Sequence, residues 1–412
     1  MTVSPTAQSQ EPDPNIPVTE RPRPDFDPIG LRAGSFITFP SVTIAGLFDD
    51  NVFATDEDPE SDFATLLGAD INTNSTWSRN ALNFRASVLS SFYSDFDTEN
   101  FVDLFGGVDG RVDITRRMQF FADAGIGRAH EGRDAPDGIR LQEVDIAHYN
   151  YAEGSLGFRQ AFNRFAYTIR GGIDDIRRYD DVGSPIGDID QSNRDRERYF
   201  GLLRGDYDVS ERLDVFARVV GDAVNFPNDN IVTDPDTGLL VNADRSYTGI
   251  EGQVGVDFDI TAVFFGELFF GYQYTRPEED LFEEVDGPSF GAGLTWNPTT
   301  LTTLRLDGRR STEPTVAINS FVNYATDLRL RVDHELLRNL LINGFAAYEQ
   351  DDFQGGDEDR TDNTIRVGAG LTYQLNRNLG LGANYEFSTR SSDDEFREYD
   401  RNRVVLSLVG RL

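Results

Sequence analysis

Read in alternate positions, residues 364–390 separate into two faces. Ile365, Val367, Ala369, Leu371, Tyr373 and Leu375 fall on one, and Thr364, Arg366, Gly368, Gly370, Thr372 and Gln374 on the other. After Asn376-Arg377-Asn378 the alternation resumes. Leu379, Leu381, Ala383, Tyr385 and Phe387 oppose Gly380, Gly382, Asn384, Glu386, Ser388 and Arg390. A period of two means strands with one apolar and one polar face. Ordinary strands run to about five or six residues. Strands of about ten, apolar outside, polar inside and joined by tight turns, are those of a transmembrane barrel.

The same pattern recurs along the chain and predicts about eighteen strands. They are Val42–Phe48, Phe63–Thr73, Ala81–Tyr93, Phe101–Ile114, Met118–Arg128, Tyr149–Arg159, Phe165–Arg177, Arg198–Val209 and Leu213–Val224, then Tyr247–Ile260, Val263–Thr275, Ser289–Trp296, Thr302–Arg310, Phe321–Asp333, Leu340–Gln350, Thr364–Leu375, Leu379–Arg390 and Arg401–Leu412. Connections after even-numbered strands are short, as at Thr115–Arg117, Ser210–Arg212, Thr261-Ala262 and Asn376–Asn378. Those after odd-numbered strands are mostly long and acidic, as at Asp49–Asp62, Glu131–Asp145, Asp180–Glu197, Asn225–Arg245 and Asp351–Asn363. Outer-membrane barrels have short periplasmic turns and long extracellular loops. The expected fold is therefore all-β: an up-and-down antiparallel transmembrane barrel with both termini periplasmic. Tyr272, Tyr274, Tyr348, Tyr385 and Phe387 near the loop ends, and Phe120, Phe258, Phe264 and Trp296 near the turn ends, are placed to form two aromatic girdles.

Residues 1–30 carry seven of the seventeen prolines and no strand pattern. They are expected to be a disordered periplasmic arm, leaving 31–412 as the barrel. No apolar signal core follows Met1-Thr2-Val3, so the chain is read as a mature form with an added start Met.

Composition narrows the classes. No run of eighteen apolar residues is present, which excludes spanning helices and leaves a barrel open. A net charge of −33 argues against nucleic acid. The absence of Cys suits an oxidising compartment. All 38 basic residues are Arg, so every lumenal cation is a fork that can pair carboxylates bidentately.

Chemistry beyond a channel finds little support. His130, His148 and His334 are the only histidines, and their spacing matches no metal motif. His148 and Ser155 lie seven residues apart along one strand, about 23 Å, too far to act together. An enzyme is not expected, and neither metal nor cofactor is predicted. Acidic runs at Asp56-Glu57-Asp58 and Asp357-Glu358-Asp359 read as a solvated rim, with cation bridging to lipopolysaccharide as the sharper option.

The opening stretch Arg21-Pro22-Arg23-Pro24, Asp27-Pro28, Gly30, Gly34-Ser35-Phe36, Pro40 and Asp49-Asp50-Asn51-Val52-Phe53 resembles that of the putative β-barrel porin 2 family. The resemblance extends in pattern over residues 21–412. It implies an outer-membrane barrel and, for some relatives, exopolysaccharide export. It carries no catalytic residue. One departure stands out: such barrels usually end on an aromatic residue read by the assembly machinery, and this chain ends Gly410-Arg411-Leu412.

The functional expectation is a porin-like outer-membrane channel passing small hydrophilic solutes or an extended exopolysaccharide. The alternative is a structural or adhesion barrel with acidic loops and no open pore. Expected partners are outer-membrane lipid and lipopolysaccharide, the barrel-assembly machinery and, for a polysaccharide cargo, export components. Lumen-lining candidates are Glu251, Asp257 and Glu267 on one side, with Arg305, Asp307, Arg309, Asp327, Arg329, Arg331, Asp333, Arg366 and Glu386 on the other. Inward acids outnumber bases on the second to eleventh strands, and the balance reverses on the thirteenth to eighteenth. This gives either a transverse field with mild cation selectivity or local arginine–carboxylate ladders that cancel.

Overall fold

The computed structural model describes residues 16–233, 239–261, 263–317, 320–355 and 360–412. Ala262, the acidic run Asp357–Asp359 and residues 1–15 of the arm lie outside the described residues. After β1 (Leu31–Ala33), nine long strands follow: β2 (Phe36–Asp49), β3 (Asp62–Ser75), β4 (Ala81–Tyr93), β5 (Phe101–Thr115), β6 (Met118–His130), β7 (His148–Ala161), β8 (Phe165–Tyr179), β9 (Arg196–Ser210) and β10 (Leu213–Asn225). A small hairpin, β11 (Asn230–Thr233) and β12 (Leu240–Ala243), interrupts the series. Nine more strands complete it: β13 (Tyr247–Thr261), β14 (Phe264–Pro277), β15 (Val285–Thr299), β16 (Thr302–Pro314), β17 (Val322–Leu337), β18 (Leu340–Gln354), β19 (Arg360–Gln374), β20 (Leu379–Ser392) and β21 (Tyr399–Arg411).

Each long strand pairs antiparallel with the next, and β21 returns to β2. The closed ring of eighteen strands leaves no open edge, which is what the hydrocarbon of a bilayer demands. All eighteen predicted strands are present at their predicted places. Most run a few residues further at the loop end, as where β19 begins at Arg360 rather than Thr364. There both faces are polar, so the alternation fades before the pairing does. Hairpin β11–β12 and the three-residue β1 were not predicted, since neither is long enough to show a period.

The faces follow the alternation. Ile365, Leu371, Leu381 and Leu406 are 48%, 40%, 41% and 61% exposed on the outside, whereas Thr364, Gln374, Ser388 and Arg390 are buried inside. Exposed leucines on this scale belong against lipid. Tyr272 and Tyr385 near the loop end, and Phe120 and Trp296 near the turn end, also point outward.

Glycine explains one local detail. A Cβ at Gly368 would lie 2.4 Å from the Phe345 ring and 2.8 Å from the Tyr385 carbonyl oxygen, and one at Gly382 would lie 2.4 Å from Ser407. These inward positions are filled by neighbours and do not tolerate a larger residue, contrary to what a polar lumen face suggests. Gly293, inward between Glu267 and Asp307, has nothing within 4 Å of its Cβ position.

Leu371→Arg and Leu381→Arg are each expected to cost about 2–4 kcal/mol, while Gly293→Arg keeps the heat-stable folded band on semi-native gels. Equal losses in all three would contradict the assignment of faces.

Candidate functional site: a lidded, arginine-lined lumen

The loop end is organised around the seam where β2 meets β21. Asp49, fully buried, accepts from Arg401 Nε at 2.9 and 3.0 Å. The side chain of Asp50 accepts from the backbone and side-chain nitrogens of Asn402 at 2.6 and 2.7 Å. Asn51 donates to the Asp400 carbonyl at 2.8 Å. Val52 and Phe53 then turn inward and are buried. The Asp49–Phe53 motif is thus the lock on the barrel's closing strand pair.

The connection after β6, residues 131–147, folds over this end as a lid. Arg133 holds it together by donating to the carbonyls of Ile139, Leu141 and Val144 at 2.8, 3.3 and 2.5 Å. The same guanidinium pairs with Glu99 in the loop after β4, both groups buried, and lies 5.6 Å over the Phe53 ring. Breaking a buried pair of this kind costs about 3–5 kcal/mol. Further along, Arg390 donates to the Asp134 carbonyl at 2.8 Å. Arg360 and Arg397 donate to the Pro136 carbonyl at 3.1 and 2.7 Å. The Asp137 carboxylate accepts from the Thr315 hydroxyl at 2.8 Å and the Val316 N–H at 3.1 Å. Arg140 reaches the Ala54 carbonyl at 3.1 Å. The lid therefore crosses from β6 to the ends of β16 and β19–β21.

Asp134 sits among the arginines of that far wall, 3.8 Å from Arg401 and 4.0 Å from Arg366. Burial alone would raise its pKa, but Arg401, Arg403, Arg366 and Arg390 outweigh it and hold the carboxyl below its ordinary value. Arg140 is pushed down to about 10 by burial and by repulsion from Arg390 and Arg397. Sequence reading placed Glu131–Asp145 among extracellular acidic loops. Its inward fold was missed, and the only local hint is that Arg133 and Arg140 lie within an otherwise acidic stretch.

Inside the barrel, most of the expected lumen charges meet partners. Arg204 bonds Asp206 at 2.6 Å and Glu267 at 2.7 Å, and also pairs with Asp257. Glu251 accepts from Gln253. Arg331 chelates Asp333 at 2.8–3.0 Å. Arg366 pairs with Glu349, Arg403 with Glu386, and Arg305 with Glu20 of the arm. Four charges stand apart. Asp307 lies opposite Arg329, and Arg309 opposite Asp327, across β16 and β17. All four side chains are exposed to the lumen, and none has an ion-pair partner within 4 Å among the described residues. They line a cavity of about 440 Å³ with Glu349 and Arg366. The expected ladder at these four positions is a matter of register rather than of closed ion pairs.

Ile16–Gly30 corrects the reading of the whole arm as disordered. Val18, fully buried, donates from its N–H to Thr303 at 2.8 Å. Arg23 forms a buried pair with Glu335 at 3.0 Å. The carbonyls of Pro24 and Phe26 accept from Arg377 and Arg411 at 2.9 and 3.2 Å. Proline-rich sequence can bury little apolar area, but here the Arg23 charge and the Pro24 and Phe26 carbonyls meet partners at the turn end of β16–β21.

A family model described as putative beta-barrel porin 2 matches residues 23–412. The chain belongs to that family. Its members are outer-membrane β-barrels, and this barrel belongs in the outer membrane of a Gram-negative bacterium. No curated protein matches the chain. Among solved structures it is similar to OccK3 (OpdO) of Pseudomonas aeruginosa, at 14% identity and a TM-score of 0.46 over 91% of this chain and 95% of that one. It is likewise similar to OccK2 (OpdF) of Pseudomonas aeruginosa, solved with glucuronate, at 14% identity and 0.47 over 92% and 98%. A BenF-like porin from Pseudomonas fluorescens Pf-5 gives 11% and 0.47 over 91% and 99%.

A carboxylate with a depressed pKa stabilises the folded form above its unfolded pKa, and that stabilisation is lost as pH falls through the folded value. The lid clamp at Asp134 should therefore hold at pH 5 and loosen only below the ordinary 3.8. Single-channel recordings are expected to show the same steps at pH 7 and pH 5, with any enlargement confined to pH below the ordinary carboxylate value. Asp134→Asn should show the larger steps already at pH 7, and a variant indistinguishable from the parent at every pH would contradict the clamp.

Proposed function

We propose that this barrel is an outer-membrane channel for small hydrophilic solutes, with its short-turn end and both termini in the periplasm and its lid narrowing the extracellular mouth. The observation that supports the reading is the lid. It is folded inward and tied to the arginine wall, and beneath it Asp307, Arg309, Asp327 and Arg329 have no ion-pair partner among the described residues. Barrels of sixteen to eighteen strands are wide enough for an aqueous channel, and an inward loop sets the size of what enters. A lid tied to the far wall suits a compact solute better than an extended polysaccharide.

Selectivity follows from which charges are free. Arg331 is occupied by Asp333, so it contributes little to the field. Arg309 and Arg329 are the cations on β16 and β17 that a passing ion would meet. Acids without an ion pair among the described residues, such as Asp70, Glu153 and Asp214, line the β3–β10 side. The balance favours cations mildly at low salt and fades with screening.

In planar bilayers the purified barrel should give discrete steps. Replacing residues 133–144 by a short Gly-Ser linker should enlarge them and admit larger neutral polymers, provided the variant keeps its heat-stable band. Across a salt gradient the reversal potential should report cation preference, increased in Arg309→Glu with Arg329→Glu. No steps from either the parent or the lidless form would favour a structural barrel instead, and anion preference in the parent would overturn the selectivity argument.

A further inference from the structure

The lumen face of a porin-like barrel is expected to be polar along every strand. Around the β2–β21 seam it is not. Five neighbouring strands break the alternation at the same height: Leu47-Phe48, Leu66-Leu67, Val88-Leu89, Phe101-Val102 and Val404-Val405. In each pair one residue faces out. Leu67, Val102 and Val404 are 43%, 43% and 37% exposed on that side. The other residue faces in, and the inward members are contiguous through the ladder. Leu47 lies opposite Val405, Ala45 opposite Leu66, Gly68 opposite Leu89 and Ser91 opposite Phe101.

These side chains floor a cavity of about 380 Å³ directly under the lid. That volume falls in the range of small-molecule sites, about 300–1,000 Å³. Three inward rings elsewhere in the barrel are covered by guanidinium groups: Phe216 by Arg204 at 3.7 Å, Phe269 by Arg218 at 4.7 Å and Phe345 by Arg329 at 4.4 Å. In this floor Phe101 is stacked on the His130 imidazole at 3.7 Å, while Leu89 is 39% exposed within the barrel. At the rim stands Arg403. One of its terminal nitrogens bonds Glu386, its other donors have no partner among the described residues, and its side chain is one-third exposed. Apolar area left open beside a guanidinium with free donors is complementary to a molecule with the same two parts.

We propose that this cavity is a binding site for an amphipathic small acid, whose apolar ring or short chain lies on Leu47, Leu66, Leu89 and Phe101 and whose carboxylate meets Arg403. The site deepens the channel reading and rests on it for its place on a solute path. Binding itself is independent of conduction. Burial of the apolar body supplies the affinity, and the charge-assisted bond to Arg403 sets the orientation.

The test uses the full-length barrel in detergent with benzoate, benzamide and tartrate as probes, read by saturation-transfer NMR and titration. Benzoate should receive transfer to its ring protons, and tartrate, an acid without an apolar body, should show none. Leu66→Asn with Leu89→Asn should weaken benzoate roughly tenfold, the loss expected for two apolar contacts. Arg403→Gln should bring benzoate down to the level of benzamide. Equal transfer in the parent and the leucine variant, or tartrate binding as well as benzoate, would overturn the site. Parallel bilayer recordings separate the two readings. Binding without conductance would leave the site standing and remove the channel, and conductance without binding would do the reverse.

Discussion

The architecture depends on how Arg401 is satisfied. It sits at the loop end of the strand pair that closes the ring, in a bidentate pair with the fully buried Asp49. It also faces Asp134 of the lid at 3.8 Å. A guanidinium has donors enough for both, so one side chain joins closure of the barrel to the seating of its lid. Without Arg401, Asp49 would be a buried carboxylate with no counter-charge, the costly half of a broken pair. The neighbouring bonds from Asp50 to Asn402 and from Asn51 to the Asp400 carbonyl make the seam a cooperative unit.

Arginine is used twice along the same wall. At the loop end, Arg360, Arg390 and Arg397 donate to lid carbonyls. At the turn end, Arg377 and Arg411 donate to carbonyls of the arm, and Arg305 pairs with Glu20. The β16–β21 side therefore anchors a segment at each mouth, leaving Arg309 and Arg329 between them. Lysine, a point charge without the planar fork, would serve less well for bonding carbonyl and carboxylate together.

The barrel was legible in the sequence because its strands are long and each obeys one period. A strand such as β19 or β20 carries its face assignment in every residue, and loop parity then orders the hairpins. The lid and the arm were not legible. Their positions are set by bonds between residues far apart in the chain, such as Asp134 with Arg401 or Arg23 with Glu335, and such contacts leave no period. Alternation assigned the candidate lumen residues to the inward face, but which of them lack an ion pair among the described residues was not readable from it. Arg331 is held by its near neighbour Asp333, while Arg309 and Asp327, directly opposite one another, remain apart. The inward leucines were visible only as doublets such as Leu66-Leu67, whose meaning appears once five adjacent strands are laid side by side.

The most direct test of the account is the position of the lid in the membrane. The chain has no cysteine, so a single engineered pair reports without background. Asp137 and Thr315 touch side chain to side chain at 2.8 Å. Asp137→Cys with Thr315→Cys should form a disulfide on mild oxidation in outer-membrane vesicles, and the cross-linked channel should keep the conductance of the parent. A pair that stays reduced and is labelled freely by a maleimide would mean that the lid lies away from the lumen and does not narrow it.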